Sequence, residues 1–152
     1  MSTVTSATDN MVARILTVLT THRRLPNPYQ IDANSEQILK KGFGVALLAG
    51  LNTEREVGCS RWFIQREIGL IVCREALVRE LDADSKFDVE QAVLEDAYSL
   101  QNSFEKYRNL NITAVVDFKF TGDSGMFHVF VEKRSFFAIQ LNYSLEYYEP
   151  IV

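Results

Sequence analysis

Residues 42–73, GFGVALLAGLNTEREVGCSRWFIQREIGLIVC, read as a long β-hairpin. The first arm is Phe43 to Leu51 and the second is Arg61 to Cys73, joined by a polar loop from Asn52 to Ser60. Side chains alternate along a strand, so Trp62, Ile64, Ile68, Leu70 and Val72 share one face of the second arm. Phe63, Gln65, Glu67 and Gly69 take the other. One face therefore needs a core and the other faces solvent. A lone two-stranded ribbon is marginal in water, so the rest of the chain has to supply further strands and a helical cover.

Working outward, residues 1–5 read as a frayed polar tail. Ser6-Ala7-Thr8-Asp9 matches the S-x-x-[DE] helix-start pattern, and Met11, Val12, Ile15, Leu16 and Leu19 follow at helical spacing. Pro26 and Pro28 end that element at the latest. A connection runs from Leu25 to Lys41, with a helical turn expected over Ser35 to Lys40. Beyond the hairpin, Ala83-Asp84-Ser85 punctuates the chain, and a second helix is expected from Asp88 to Tyr107. Its stripe of Val89, Val93, Ala97, Leu100, Phe104 and Tyr107 is the expected lid on the hairpin. Ile112, Ala114, Val116, Phe118 and Phe120 alternate as a third strand. Thr121 to Gly125 is a turn by composition, and Phe127 to Val131 is a short strand or an excursion. The last strand puts Phe137, Ile139, Leu141, Tyr143, Leu145 and Tyr147 on one face, and Pro150 stops it.

These elements predict an α+β fold: a mostly antiparallel sheet of about four strands with both helices packed on one face. The 152 residues are expected to form one domain, large enough for a core without staples. The net charge of −4 argues against a broad phosphate-neutralising patch. Cys59 and Cys73 are expected to be free thiols. No signal-peptide pattern opens the chain, and no apolar run reaches the roughly 18 residues of a membrane span.

Chemistry-bearing groups are sparse. His22 sits at the expected end of the first helix and His128 in or beside a strand. Each reads as a surface or packed histidine in preference to a general base or ligand. Zinc, phosphate-loop and nucleophile-elbow patterns do not occur, so no metal, cofactor or catalytic residue is assigned. Glu80, Asp82 and Asp84 cluster, as do Glu95 and Asp96. The first group reads as a solvated connection into a helix N-terminus in preference to a cation site. Five residues are candidates for an interface. Glu54, Arg55 and Glu56 lie at the hairpin tip, Arg66 interrupts an apolar stripe, and Tyr148 lies on the face opposite the last strand's stripe.

Together the helix, the hairpin with a charged tip, the amphipathic helix and a closing strand rich in tyrosine resemble a known family. The local matches are Phe43-Gly44-Val45-Ala46-Leu47 leading into Asn52-Thr53-Glu54, and Ala138 to Tyr148 as the last strand. They resemble the tail terminator proteins of long-tailed, lambda-type bacteriophages. The resemblance implies a structural virion protein with no active site, assembled in the host cytoplasm. Its copies would form a ring, taken as six, at the head–tail interface, with a monomer as an allowed free state. The ring would cap the tail tube protein, stop its polymerisation, and join the tail to the head-completion (connector) proteins. DNA would pass through without specific binding, and no membrane is involved. Two other readings stand beside this one. The chain could be a small-molecule or peptide-binding α+β module, for which Arg66 is the inward polar group, or a hydrolase using the acids near Asp82.

Overall fold

The computed structural model describes residues 2–25, 41–55, 60–76, 83–131 and 134–151. Within them the order is α1 (Thr3–Val18), β1 (Arg23–Arg24), β2 (Lys41–Arg55), β3 (Arg61–Ala76), α2 (Ala83–Glu105), β4 (Val115–Asp123), β5 (Phe127–Val131) and β6 (Arg134–Pro150). The frame is the pairing of β3 with β6. The two run antiparallel with no register shift from Arg61 opposite Pro150 to Ala76 opposite Ser135. β2 flanks β3, and β4 and β5 lie on the other side of β6.

Alternation fixes which face is buried. Phe137, Ile139, Leu141, Tyr143, Leu145 and Tyr147 of β6 are each at most 2% exposed. Their register partners include Val72, Leu70 and Ile68, which are also buried. Ala7, Met11 and Ile15 of α1 and Val93, Ala97, Leu100 and Phe104 of α2 join them in one cluster. Each large apolar side chain buried there contributes about 1.5–3 kcal/mol. The centre is aromatic. The Phe118 and Tyr143 rings stack at 4.3 Å, and Phe104 meets them edge-on at 5.3 and 5.9 Å. The opposite sheet face is polar. There Gln65 Nε2 donates to Ser144 Oγ, and the Gln140 amide lies so close over Gly69 that an added Cβ would come within 2.8 Å of its nitrogen.

The α+β class with two helices is as expected, but the sheet is mixed and has six strands. β1 arises in the connection after α1 and pairs parallel with Gly42 and Phe43. β4 and β5 together occupy one edge of β6, broken at residues 124–126. Gly125, at φ 72°, makes that break, and Ser124 bridges it by bonding both the N–H and the carbonyl of Gln140. The segment 127–131 is thus a strand.

Several boundaries also move. α1 starts at Thr3, because the Ser2 hydroxyl accepts from Thr5 N–H at 3.2 Å, so the Ser6–Asp9 pattern lies inside the helix. Residues 3–5 are consequently ordered: Thr3 Oγ1 donates to the Tyr148 carbonyl at 2.7 Å, and Val4 N–H to Glu149 Oε1 at 2.9 Å. α1 ends at Val18, well before Pro26. The hairpin strands run on to Arg55 and Ala76, narrowing the Asn52–Ser60 loop. α2 begins at Ala83 and ends at Glu105. In β4 a bulge between Val115 and Asp117 inverts the expected alternation, burying Val115 and leaving Val116 50% exposed. The helical turn expected over 35–40 lies outside the described residues.

Two outcomes follow. Leu100→Asp should abolish cooperative folding, because an unpaired charge at a fully buried position costs several kcal/mol, comparable with a domain's whole stability of about 5–15 kcal/mol. An unchanged thermal melt would show that the α2 stripe is not core. Tyr143→Phe should instead be neutral or raise the melting temperature. The Tyr143 hydroxyl is buried with no hydrogen-bond partner among the described residues, and burial holds its phenol strongly protonated. A drop of several degrees in the melt would show that the hydroxyl has a partner.

Candidate interaction surface

The expected interface residues divide between two places. Registers carry Glu54 to Phe63 and on to Tyr148, and Arg55 to Trp62 and on to Glu149. The hairpin tip and Tyr148 therefore lie at one end of the sheet. The side chains of Glu54 and Arg55, and the whole of Glu56, lie outside the described residues. Tyr148 faces away from the helices, as expected. Its ring lies 3.8 Å from the Arg61 guanidinium and 5.4 Å from the Phe63 ring. Thr3 and Ala114 hold its backbone from both sides. The Trp62 ring, expected in the core, is 38% exposed near this end.

Arg66 is placed elsewhere. Between Leu47 and Gly50 β2 carries a bulge, which takes a carbonyl out of the ladder. Arg66 Nη1 donates to that carbonyl, Leu48 O, at 2.9 Å, and its Nε donates to the Tyr147 hydroxyl at 3.3 Å. The arginine that interrupts the stripe thus satisfies an irregular turn of its own chain.

The structure also assembles a network that spacing does not reveal. Asp96 accepts both arms of the Arg74 fork, at 2.6 and 2.9 Å, and His22 Nε2 donates to it at 3.1 Å. These groups join the end of α1, β3 and α2, with 74 positions between His22 and Asp96. His22 Nδ1 is buried with no partner among the described residues. Burial pushes the Asp96 carboxyl up, but the hydrogen bonds from His22 and Arg74 outweigh it and hold the group below the usual carboxylate range.

The remaining candidates are ordinary in their settings. His128 bonds Ser135 across the β5–β6 hairpin and stacks on Phe137 at 4.4 Å. Cys73 is free, and burial pushes its thiol up to about 11, so it is unreactive at neutral pH. Cys59, Glu80 and Asp82 lie outside the described residues. Among the described residues no group of three His, Cys, Asp or Glu is placed to hold a metal ion. No family model matches this sequence, and no curated protein does.

What the tip and Tyr148 leave unexplained is a set of exposed apolar side chains at both edges of the sheet. Leu16 and Leu47 are 44% and 51% exposed on the α1–β2 side. Phe127 and Phe130 are 39% and 69% exposed on β5, where no strand covers them among the described residues. Sequence reading missed this surface because it assigned Leu16 to a buried stripe and left 127–131 unplaced.

Asp96→Ala should cost roughly 1–3 kcal/mol, since it leaves the Arg74 fork and His22 without their acceptor. A carboxyl depressed on folding contributes stability above its unfolded pKa of about 3.9, and loses that contribution as pH falls through the lower folded value. Melts over a pH series should therefore show the gap between wild type and variant narrowing below about pH 4. A gap independent of pH would rule out the ionised Asp96 as its source.

Proposed function

We propose that this chain is a structural subunit that works by contact and not by catalysis: a ring-forming virion protein similar to phage tail terminators. In this reading six copies close a ring on the end of the tail tube. The ring halts tube growth and bridges to the head-completion protein at the head–tail junction, and DNA passes through its centre. The observation that carries the reading is the pair of unlike apolar flanks. A ring is built from heterologous contacts, in which each copy needs two different complementary surfaces. Exposed apolar side chains at opposite edges of one sheet supply such a pair. The order of helix, long hairpin, helix and closing strand agrees with the resemblance. The hairpin tip, at the far end of the β3–β6 frame, is the surface offered to the tube.

Chemical cross-linking over a concentration series is the test. It should run to roughly millimolar, the effective concentration at which tethered partners meet. A ladder ending at six subunits is the expected result. A chain that yields monomer alone, or a ladder stopping at two, contradicts the ring.

A further inference from the structure

We infer, resting on the reading of the chain as a ring subunit, that neighbouring copies meet head to tail. A groove between α1 and the open edge of β2, lined by Leu16 and Leu47 and rimmed by Arg24, takes the corner of the next copy formed by Phe87, Asp88 and Phe130.

The groove follows from the way α1 is seated. Arg14 Nε donates to Ser103 Oγ at 2.6 Å, its guanidinium lies over Tyr107, and Asn10 Nδ2 donates to the Leu110 carbonyl. That side of α1 faces α2. Leu16 is about 200° round the helix from Arg14, so it looks away from α2 and over the outer edge of β2. Leu47 shares the helix-covered face with its register partner Ile68, yet it is 51% exposed where Ile68 is fully buried. Among the described residues only Gly42 and Phe43 of β2 pair with β1, so the edge beside Leu47 is open. Val12 and Val45 are partly buried against the core between the two leucines. Arg24, exposed and in register with Phe43, sits at one end.

The corner is built around Phe137. Lys86 Nζ lies 5.9 Å from the Phe137 ring, and His128 stacks on that ring and touches Phe130 at 4.0 Å. The start of α2 and the β5 strand therefore converge. Phe87 is about 200° round α2 from the buried Val89, so it points outward at 62% exposure beside the exposed Asp88. Glu90 is paired with Lys86, which leaves Asp88 as the acidic group flanking the aromatic pair.

Apolar side chains stand on both surfaces, and their flanking charges are opposite. The two surfaces belong to opposite edges of one sheet, so a copy does not satisfy itself. The contact runs from each copy to the next and closes as a ring. Phe87 and Phe130 are the anchors, aromatic groups seated in an aliphatic groove.

The test uses the full chain, cross-linked as above, with two double variants. Leu16→Ser with Leu47→Ser disables the groove, and Phe87→Ser with Phe130→Ser disables the corner. Each truncates only exposed side chains, and circular dichroism checks that the fold survives. A variant that fails this check is replaced by Arg24→Asp or Asp88→Arg on the same surface. Each variant alone should associate roughly tenfold or more weakly than wild type. Mixed in equal amounts, the two should give a cross-linked dimer and nothing larger, because one good groove and one good corner remain. Single variants that ladder like wild type, or a mixture that ladders past the dimer, overturn this contact and leave the ring reading standing. A wild-type chain that gives monomer alone removes both.

Discussion

The pairing of β3 with β6 constrains everything else. Two strands of 16 and 17 residues share one unbroken register, and one face of each is apolar over most of that length. A slip by one residue would move Phe137, Ile139, Leu141 and Tyr143 to the polar face and bring Gln140 and Asn142 under the helices. The register is thus held by the helices, and the helices by the register. The ends are pinned separately. Thr3 and Val4 fasten α1 to the end of β6, the Arg108 fork ties the end of α2 to Asp117 of β4, and the Arg134 fork ties the start of β6 to Glu75 of β3. Arg74 and His22 meet on Asp96 between these points.

A frame held so firmly leaves its edges as the place for interaction, and the edges are not simple. β2 carries bulges at Leu47/Gly50 and Gly50/Asn52, and β4 carries them at Val115/Asp117 and Phe120/Gly122. Bulges break the regular row of donors and acceptors that another strand needs, and so discourage strand addition. Contacts at these edges fall to side chains instead: Leu16 and Leu47 on one flank, Phe87 and Phe130 on the other. Side-chain contacts of this kind give a defined neighbour without the open-ended growth that strand addition invites.

Much of the frame was legible in the sequence because it follows period-two and helical patterns. The β6 stripe from Phe137 to Tyr147 and the α2 stripe from Val89 to Phe104 are buried as their spacing predicts. The failures have local causes. Val116 was assigned inward because alternation cannot register the single extra residue of a bulge. Ser2, not Ser6, caps α1, since both lie in plausible contexts and only tertiary contacts with Tyr148 and Glu149 select the earlier start. β1 has two residues, too few to leave a pattern. Of the candidate surface, Tyr148 was placed on the correct face, whereas Arg66 turned out to serve a bulge that composition does not announce. The His22–Asp96–Arg74 network and the Phe87–Phe130 corner depend on residues far apart in the chain, and only the fold brings them together.

Hydrogen exchange measured on the dilute chain and again on the concentrated, assembling chain separates frame from flank most directly. The amides of β3 and β6 should exchange slowest in both states and change little between them. Protection gained on assembly should fall on residues 12–24 and 45–47, and on residues 86–90 and 127–131, together. Protection gained at the hairpin tip instead, or at one flank without the other, would contradict a rigid β3–β6 frame joined to its neighbours through two unlike edges.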